Sequence, residues 1–131
     1  MTMNILGIDF EEWYHPELIK NHVKIDQRIP KVFKGIDTIL DLLNKHNVSA
    51  TFFVVGEILQ HSPELIDKII SNNHEIAFHT MHHDRIDSPN FLNNFDDELN
   101  EFQKLTNNKS KGFRAPTFSL NDKSSSIIKI L

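Results

Sequence analysis

Hydrophobic positions along the chain follow two spacings, one suited to strands and one to helices, and they take turns. Residues 4–10 are a short apolar run ending in acidic residues, which predicts a buried strand with Glu11 and Glu12 at its C-terminal end. Residues 15–28 are polar and irregular and predict a long loop. Pro30 suits the first turn of a helix, and Val32, Phe33, Ile36, Ile39, Leu40 and Leu43 follow at helical spacing. Residues 50–55 (ATFFVV) are a dense run of strand formers closed by Gly56. Ser62 and Pro63 predict a helix start, with Ser62 as N-cap, and Leu65, Ile66, Ile69 and Ile70 supply its apolar face. A third strand is expected over residues 75–78, leading straight into His79. Phe91, Phe95, Leu99 and Phe102 are in register for an acidic amphipathic helix over 91–105. After a polar turn at 107–111, residues 112–114 read as a fourth strand, and residues 124–131 open another helix.

Strand and helix alternate four times. That pattern predicts an α/β protein with parallel strands joined by crossover helices. No sequence repeat or internal domain boundary interrupts it, so residues 1–131 read as belonging to one domain.

Composition narrows the chemistry. The net charge of −4 supplies no electrostatic footprint for nucleic acid. The absence of cysteine excludes disulfides and thiolate metal sites. No apolar stretch is long enough to span a bilayer. The opening MTMNILGIDFEEW lacks a basic region and its apolar run is broken by Asp9, so a cytoplasmic location is expected. Histidine is abundant, at eight residues, and histidine is the commonest metal ligand.

In parallel α/β folds, ligands gather at the C-terminal ends of the strands. Glu11 and Glu12 end the first strand, His79 and His83 follow the third, and Arg114 ends the fourth. His79 and His83 are four apart, so on a turn or short helix both imidazoles reach one ion. With Glu12 as oxygen ligand, two histidines and a carboxylate suit zinc, cobalt, iron or nickel. The plainer alternative is a pair of unconnected surface histidines. Adjacent strand residues point to opposite faces, but a strand end can twist both toward the rim, leaving Glu11 free as a base. The alternative for the pair is a solvated acidic loop. Pro116 biases Ala115 to an extended form and steadies Arg114, which then orients the base, binds an oxyanion or pairs with the strand-end acids. Trp13 and Tyr14 suit stacking on a sugar ring or rim packing. His74 and His82 read as structural or exposed, whereas His15, close after the acidic pair, stands nearer the chemistry.

The segments IDFEEW, ATFFVVG, HEIAFHTMHH and GFRAPTF, in this order, resemble the polysaccharide deacetylases of carbohydrate esterase family four, which share the chitooligosaccharide deacetylase homology domain. The usual first motif there is TFDDG. Residues 9–13 are similar to a variant, usually DVEDW, of a branch linked to exopolysaccharide systems. The resemblance implies a distorted (β/α) barrel. It implies Glu11 as catalytic base, Glu12, His79 and His83 as ligands of a divalent metal, expected to be zinc, Arg114 as a catalytic arginine, and Trp13, His15 and Pro116 on the substrate side. The implied reaction is hydrolysis of N-acetyl groups on N-acetylglucosamine-containing polysaccharide or oligosaccharide. Two departures are visible. Glu12 stands where the family has aspartate, and the family's later motifs, including an acetyl pocket and a catalytic acid histidine, have no counterpart before Leu131. About four β/α units are expected, the N-terminal portion of one such domain. An incomplete barrel favours self-association and little activity of this chain alone. The rival readings are a non-catalytic metal- or carbohydrate-binding remnant and another metal-dependent amidohydrolase on a β/α barrel.

Overall fold

A computed structural model describes residues 4–131. Four strands form one parallel sheet in the order β1-β2-β3-β4: β1 Gly7–Phe10, β2 Thr51–Val54, β3 Glu75–Phe78 and β4 Ser110–Phe113. Each strand pairs with the next in sequence. With the right-handed crossovers that parallel strands require, sequential order keeps the connecting helices on one face, as in a (β/α) barrel. The connections hold α1 Glu17–Lys20, α2 Phe33–Lys45, α3 Gly56–His61, α4 Glu64–Ser71, α5 Pro89–Leu92 and α6 Phe95–Leu105.

The sheet has two unlike faces because side chains alternate along each strand. Phe10, Phe52, Val54, Ile76 and Phe78 are buried under the helices with Ile36, Leu40, Leu59, Ile69, Phe95 and Phe102. Phe78 anchors this layer, with ring centroids 4.8 Å from Phe102 and 6.0 Å from Phe95. The opposite face carries Gly7, Asp9, Phe53 and Ala77, and the register sets Asp9 beside Phe53 and Phe53 beside Ala77.

The predicted α/β alternation is observed, with local differences. The first strand begins at Gly7 rather than residue 4. The loop after it is partly ordered by α1 and by a 3-10 turn, Ile25–Gln27. Gly56 opens α3, a helix the sequence reading lacked, because the connection doubles back before α4. Ser62 makes no side-chain cap; the residue before α4 is Pro63. The helix expected over 91–105 breaks between Leu92 and Phe95, so that Phe91 and Phe95 both turn inward. The last expected helix is a 3-10 segment, Ser125–Lys129.

Backbone strain falls in two groups. Asn47, Asn73, Asn107 and Asn108 adopt positive φ just after α2, α4 and α6, where asparagine is a tolerated C-terminal cap. The other non-glycine residues with positive φ among those described are Thr80, His83, Thr117 and Phe118. All four lie beyond the C-terminal ends of β3 and β4.

Candidate metal centre

The ladder continues past the strands and fixes where the functional residues start. Val55 N–H donates to Phe10 O at 3.2 Å, His79 N–H to Val54 O at 3.1 Å, and Arg114 N–H to Phe78 O at 3.0 Å. Alternation then decides the rest. Residues 7, 9 and 11 share one face of the first strand and its extension, and residues 75, 77 and 79 share the same face of the third.

On that face Glu11, His79 and His83 converge, each offering one ligand atom within 4.8 Å of the others. Their donor set fits a divalent cation. His79 Nδ1 lies 2.7 Å from the carbonyl oxygen of Arg114, which keeps the proton on Nδ1 and leaves the Nε2 lone pair free for an ion. Glu11 Oε2 is buried and no donor is aligned on it, although His83 Nε2 lies only 2.6 Å away. This contact brings a carboxylate oxygen and an imidazole nitrogen together within the cluster. Burial pushes the His79 imidazole below its ordinary range, against the opposing pull of the Arg114 carbonyl and Asp9, so it is neutral near pH 7. Burial opposes ionisation of Glu11, but His83, His79 and His15 together outweigh it and lower its carboxyl below the ordinary value. Neutral imidazole and ionised carboxylate are the forms that bind metal.

Beside the cluster, Asp9 pairs with Arg114. The Arg114 guanidinium lies over the Phe53 ring, 3.9 Å from its centroid. Gly7 makes room for this arrangement, since a Cβ there would collide with the guanidinium and lie 2.9 Å from Phe53. Asp9, Glu11, Pro16, His79, His83, Arg114, Ala115, Thr117 and Phe118 line one open cleft of about 620 Å³.

Several expected site residues lie elsewhere. Glu12 is not in the cluster. It is only 2 % exposed, on the helix side, and its carboxylate accepts the N–H groups of Lys31 (2.8 Å) and Val32 (3.1 Å) that open α2. An anion there satisfies two otherwise unpaired donors and complements the helix dipole. Glu11, expected as a free base, sits in the cluster with His79 and His83, and Asp9, absent from the expected site, lines the cleft beside them. His15 is not open to a substrate: it is buried, accepting the Glu12 N–H at Nδ1 (3.0 Å) and meeting Glu57 at Nε2 (2.6 Å). Trp13 turns its indole N–H to the Ile29 carbonyl (2.9 Å) and lies outside the cleft. Pro116 is buried beneath the rim, and its neighbours Ala115, Thr117 and Phe118 face the cleft in its place. His74 is buried and accepts the Ala50 N–H, as a structural residue should. The sequence did hold the signal for Asp9 and Glu11: strand alternation puts positions two apart on one face, and a twist that brings Glu12 to that face as well is not what the strand end does.

Residues 31–131 match the family described as polysaccharide deacetylase. The chain belongs to that family. A chitooligosaccharide deacetylase of Bradyrhizobium sp. (strain ANU 289) is 49% identical over 45 residues, covering 34% of this chain and 20% of that protein. A peptidoglycan-N-acetylglucosamine deacetylase of Bacillus cereus is 42% identical over 45 residues, 34% of this chain and 21% of that protein. Among solved structures, a CE4 family pseudoenzyme from Bacillus anthracis superposes with a TM-score of 0.68 at 22% identity, covering 95% of this chain and 39% of that one. The peptidoglycan deacetylase PdaC of Bacillus subtilis gives 0.67 at 23% identity, with 95% and 54% covered. These likenesses establish the barrel-type fold. The matched stretch spans about a fifth of the curated relatives' length, and the fold match about half or less of the solved chains.

Proposed function

We propose that this chain carries the metal-binding, proton-accepting portion of a hydrolase that removes N-acetyl groups from N-acetylglucosamine-containing polysaccharide or oligosaccharide. The observation that carries this reading is the convergence of Glu11, His79 and His83 beside the Asp9–Arg114 pair in one cleft. Relatives named as chitooligosaccharide and peptidoglycan deacetylases support the substrate class.

Glu11, His79 and His83 would hold a divalent cation, which we propose to be zinc. When bound, such a cation polarises the acetyl carbonyl and acidifies water. Asp9 is the general base. Its carboxylate lines the cleft, and the pairing with Arg114 fixes its pose, so it takes the proton as water attacks the amide carbon. The Arg114 carbonyl keeps His79 in the tautomer that presents Nε2. Phe118, 99 % exposed on a left-handed backbone at the cleft rim, offers a flat apolar face to a sugar ring in the role expected of Trp13. The substrate is thus an acetylated glycan and the products are acetate and a free amine. Because the chain spans so little of its relatives, we propose that it is a portion of one deacetylase domain, that it turns over slowly alone, and that its open sheet edges favour self-association.

A second reading, a non-catalytic metal-binding protein, gains support from the fold likeness to a pseudoenzyme. Acetate release from acetylated chito-oligosaccharides by the full-length protein separates the two. Asp9→Asn should keep metal content near normal and lower the rate by about 10²–10⁴. Absence of acetate release from the unmutated protein would favour the second reading, and an Asp9→Asn variant that empties the site would make Asp9 a ligand.

A further inference from the structure

We propose that Glu57 is a positioning residue for this centre, an inference that rests on the metal-site reading above: its carboxylate ties together the two segments that carry Glu11 and His83. Glu57 stands in the first turn of α3, outside the cleft. Its Oε1 meets His15 Nε2 at 2.6 Å, and its Oε2 meets His82 Nδ1 at 3.0 Å. His15 lies four residues after Glu11, and His82 immediately precedes His83. One carboxylate therefore bridges the segment after β1 and the segment after β3.

The bridge has a fixed polarity. His15 Nδ1 accepts the Glu12 N–H, so its proton is on Nε2 and is donated to Glu57. The hydrogen bonds from His15 and then His82 hold the Glu57 carboxyl far below its ordinary value, so it is an anion throughout the neutral range. The His15 ring lies nearly parallel to that of His83, 16° apart in plane and 6.3 Å between centroids, so fixing one restricts the other.

The segment after β3 needs such restraint. Thr80 and His83 both hold positive φ, a strained conformation for a non-glycine residue that persists only where surroundings impose it. The start of α3 imposes it from below. Gly56 N–H donates to Thr80 O at 3.0 Å, and Glu57 N–H to Met81 O at 2.9 Å. Gly56 permits the approach: a Cβ there would lie 3.2 Å from the Met81 Cα and collide with its thioether. The backbone of Glu57 thus holds the segment at Met81, and its side chain ties His82 of that segment to His15 of the segment after β1.

The test uses Glu57→Ala and Glu57→Gln in the unmutated background, with two readouts. In metal-free protein, hydrogen exchange at the backbone amides of residues 12–15 and 79–84 should quicken in Glu57→Ala, with β2 and α6 unchanged. With cobalt(II) as probe, Glu57→Ala should bind about 10–100-fold more weakly, the usual loss for an outer partner of a metal site, and show an altered visible spectrum. Glu57→Gln, which retains one acceptor oxygen, should fall between. Exchange confined to α3, or cobalt affinity within twofold of the unmutated protein with an unchanged spectrum, would overturn the proposal. Failure of the unmutated protein to bind cobalt would sink the metal-site reading, and the positioning role with it. Faster exchange in both segments would then mark Glu57 as a structural bridge only.

Discussion

The two faces of the sheet at the end of β1 hold carboxylates one residue apart in sequence and treat them in opposite ways. On the helix-covered face, Glu12 is enclosed and saturated, accepting the N–H groups that begin α2. On the cleft face, Glu11 and His83 keep buried polar atoms without aligned partners, next to residues with strained backbone. Buried polar groups are ordinarily paired, so two without partners in one cleft fit the proposed ligand-binding role, whereas the satisfied carboxylate of Glu12 serves folding. The two glutamates share one chemical type and differ in what their carboxylates meet.

The sharpest way to break that contrast is to remove each carboxylate in turn. Glu11→Ala should abolish stoichiometric metal binding and leave unfolding in the absence of metal nearly unchanged. Glu12→Ala should do the reverse, costing about 1–3 kcal/mol through the orphaned N–H groups of Lys31 and Val32 while keeping metal stoichiometry. Isothermal titration with zinc and urea unfolding of both variants measure the pair. Equal metal loss in both would erase the distinction drawn between the faces.

A pH titration sharpens it next. The Glu57 hydrogen bond raises the His82 imidazole above its ordinary 6.5, whereas burial lowers that of His79 below it. On acidification of metal-free protein, His82 should therefore protonate before His79, which ring-nitrogen NMR can follow. The linked stabilities have opposite signs. The His82 contribution is present below 6.5 and is lost as pH rises through its raised value. The His79 contribution is present above 6.5 and is lost as pH falls through its lowered one. Reversal of the titration order would mean that burial does not set His79 apart.

The smallest effect is expected at Gly7. Adding a Cβ displaces the flexible end of Arg114 and crowds Phe53, so Gly7→Ala should cost about 1–3 kcal/mol of stability. It should also loosen the Asp9–Arg114 pair without changing metal stoichiometry. Unchanged chemical shifts at the Arg114 guanidinium would show that the pair does not depend on this close approach.

The sequence by itself determined the class of the fold and the rim where the chemistry sits. Dense runs of strand formers such as ATFFVV and helical runs such as that from Ile36 to Leu43 are local signals, and strand-end placement of His79, His83 and Arg114 follows from them directly. It also carried the alternation that sets Asp9 and Glu11 on one face, since that rule depends only on neighbouring residues. Only the tertiary structure decided what each polar group meets. Glu12 found the start of α2 some twenty residues away, His15 found Glu57, Arg114 found Asp9 across the sheet, and Pro116 sank while Phe118 rose. Those pairings join residues remote in sequence, and the partner a buried carboxylate or imidazole takes is fixed by which donor lies within about 3 Å once the chain has packed, a distance that no local pattern encodes.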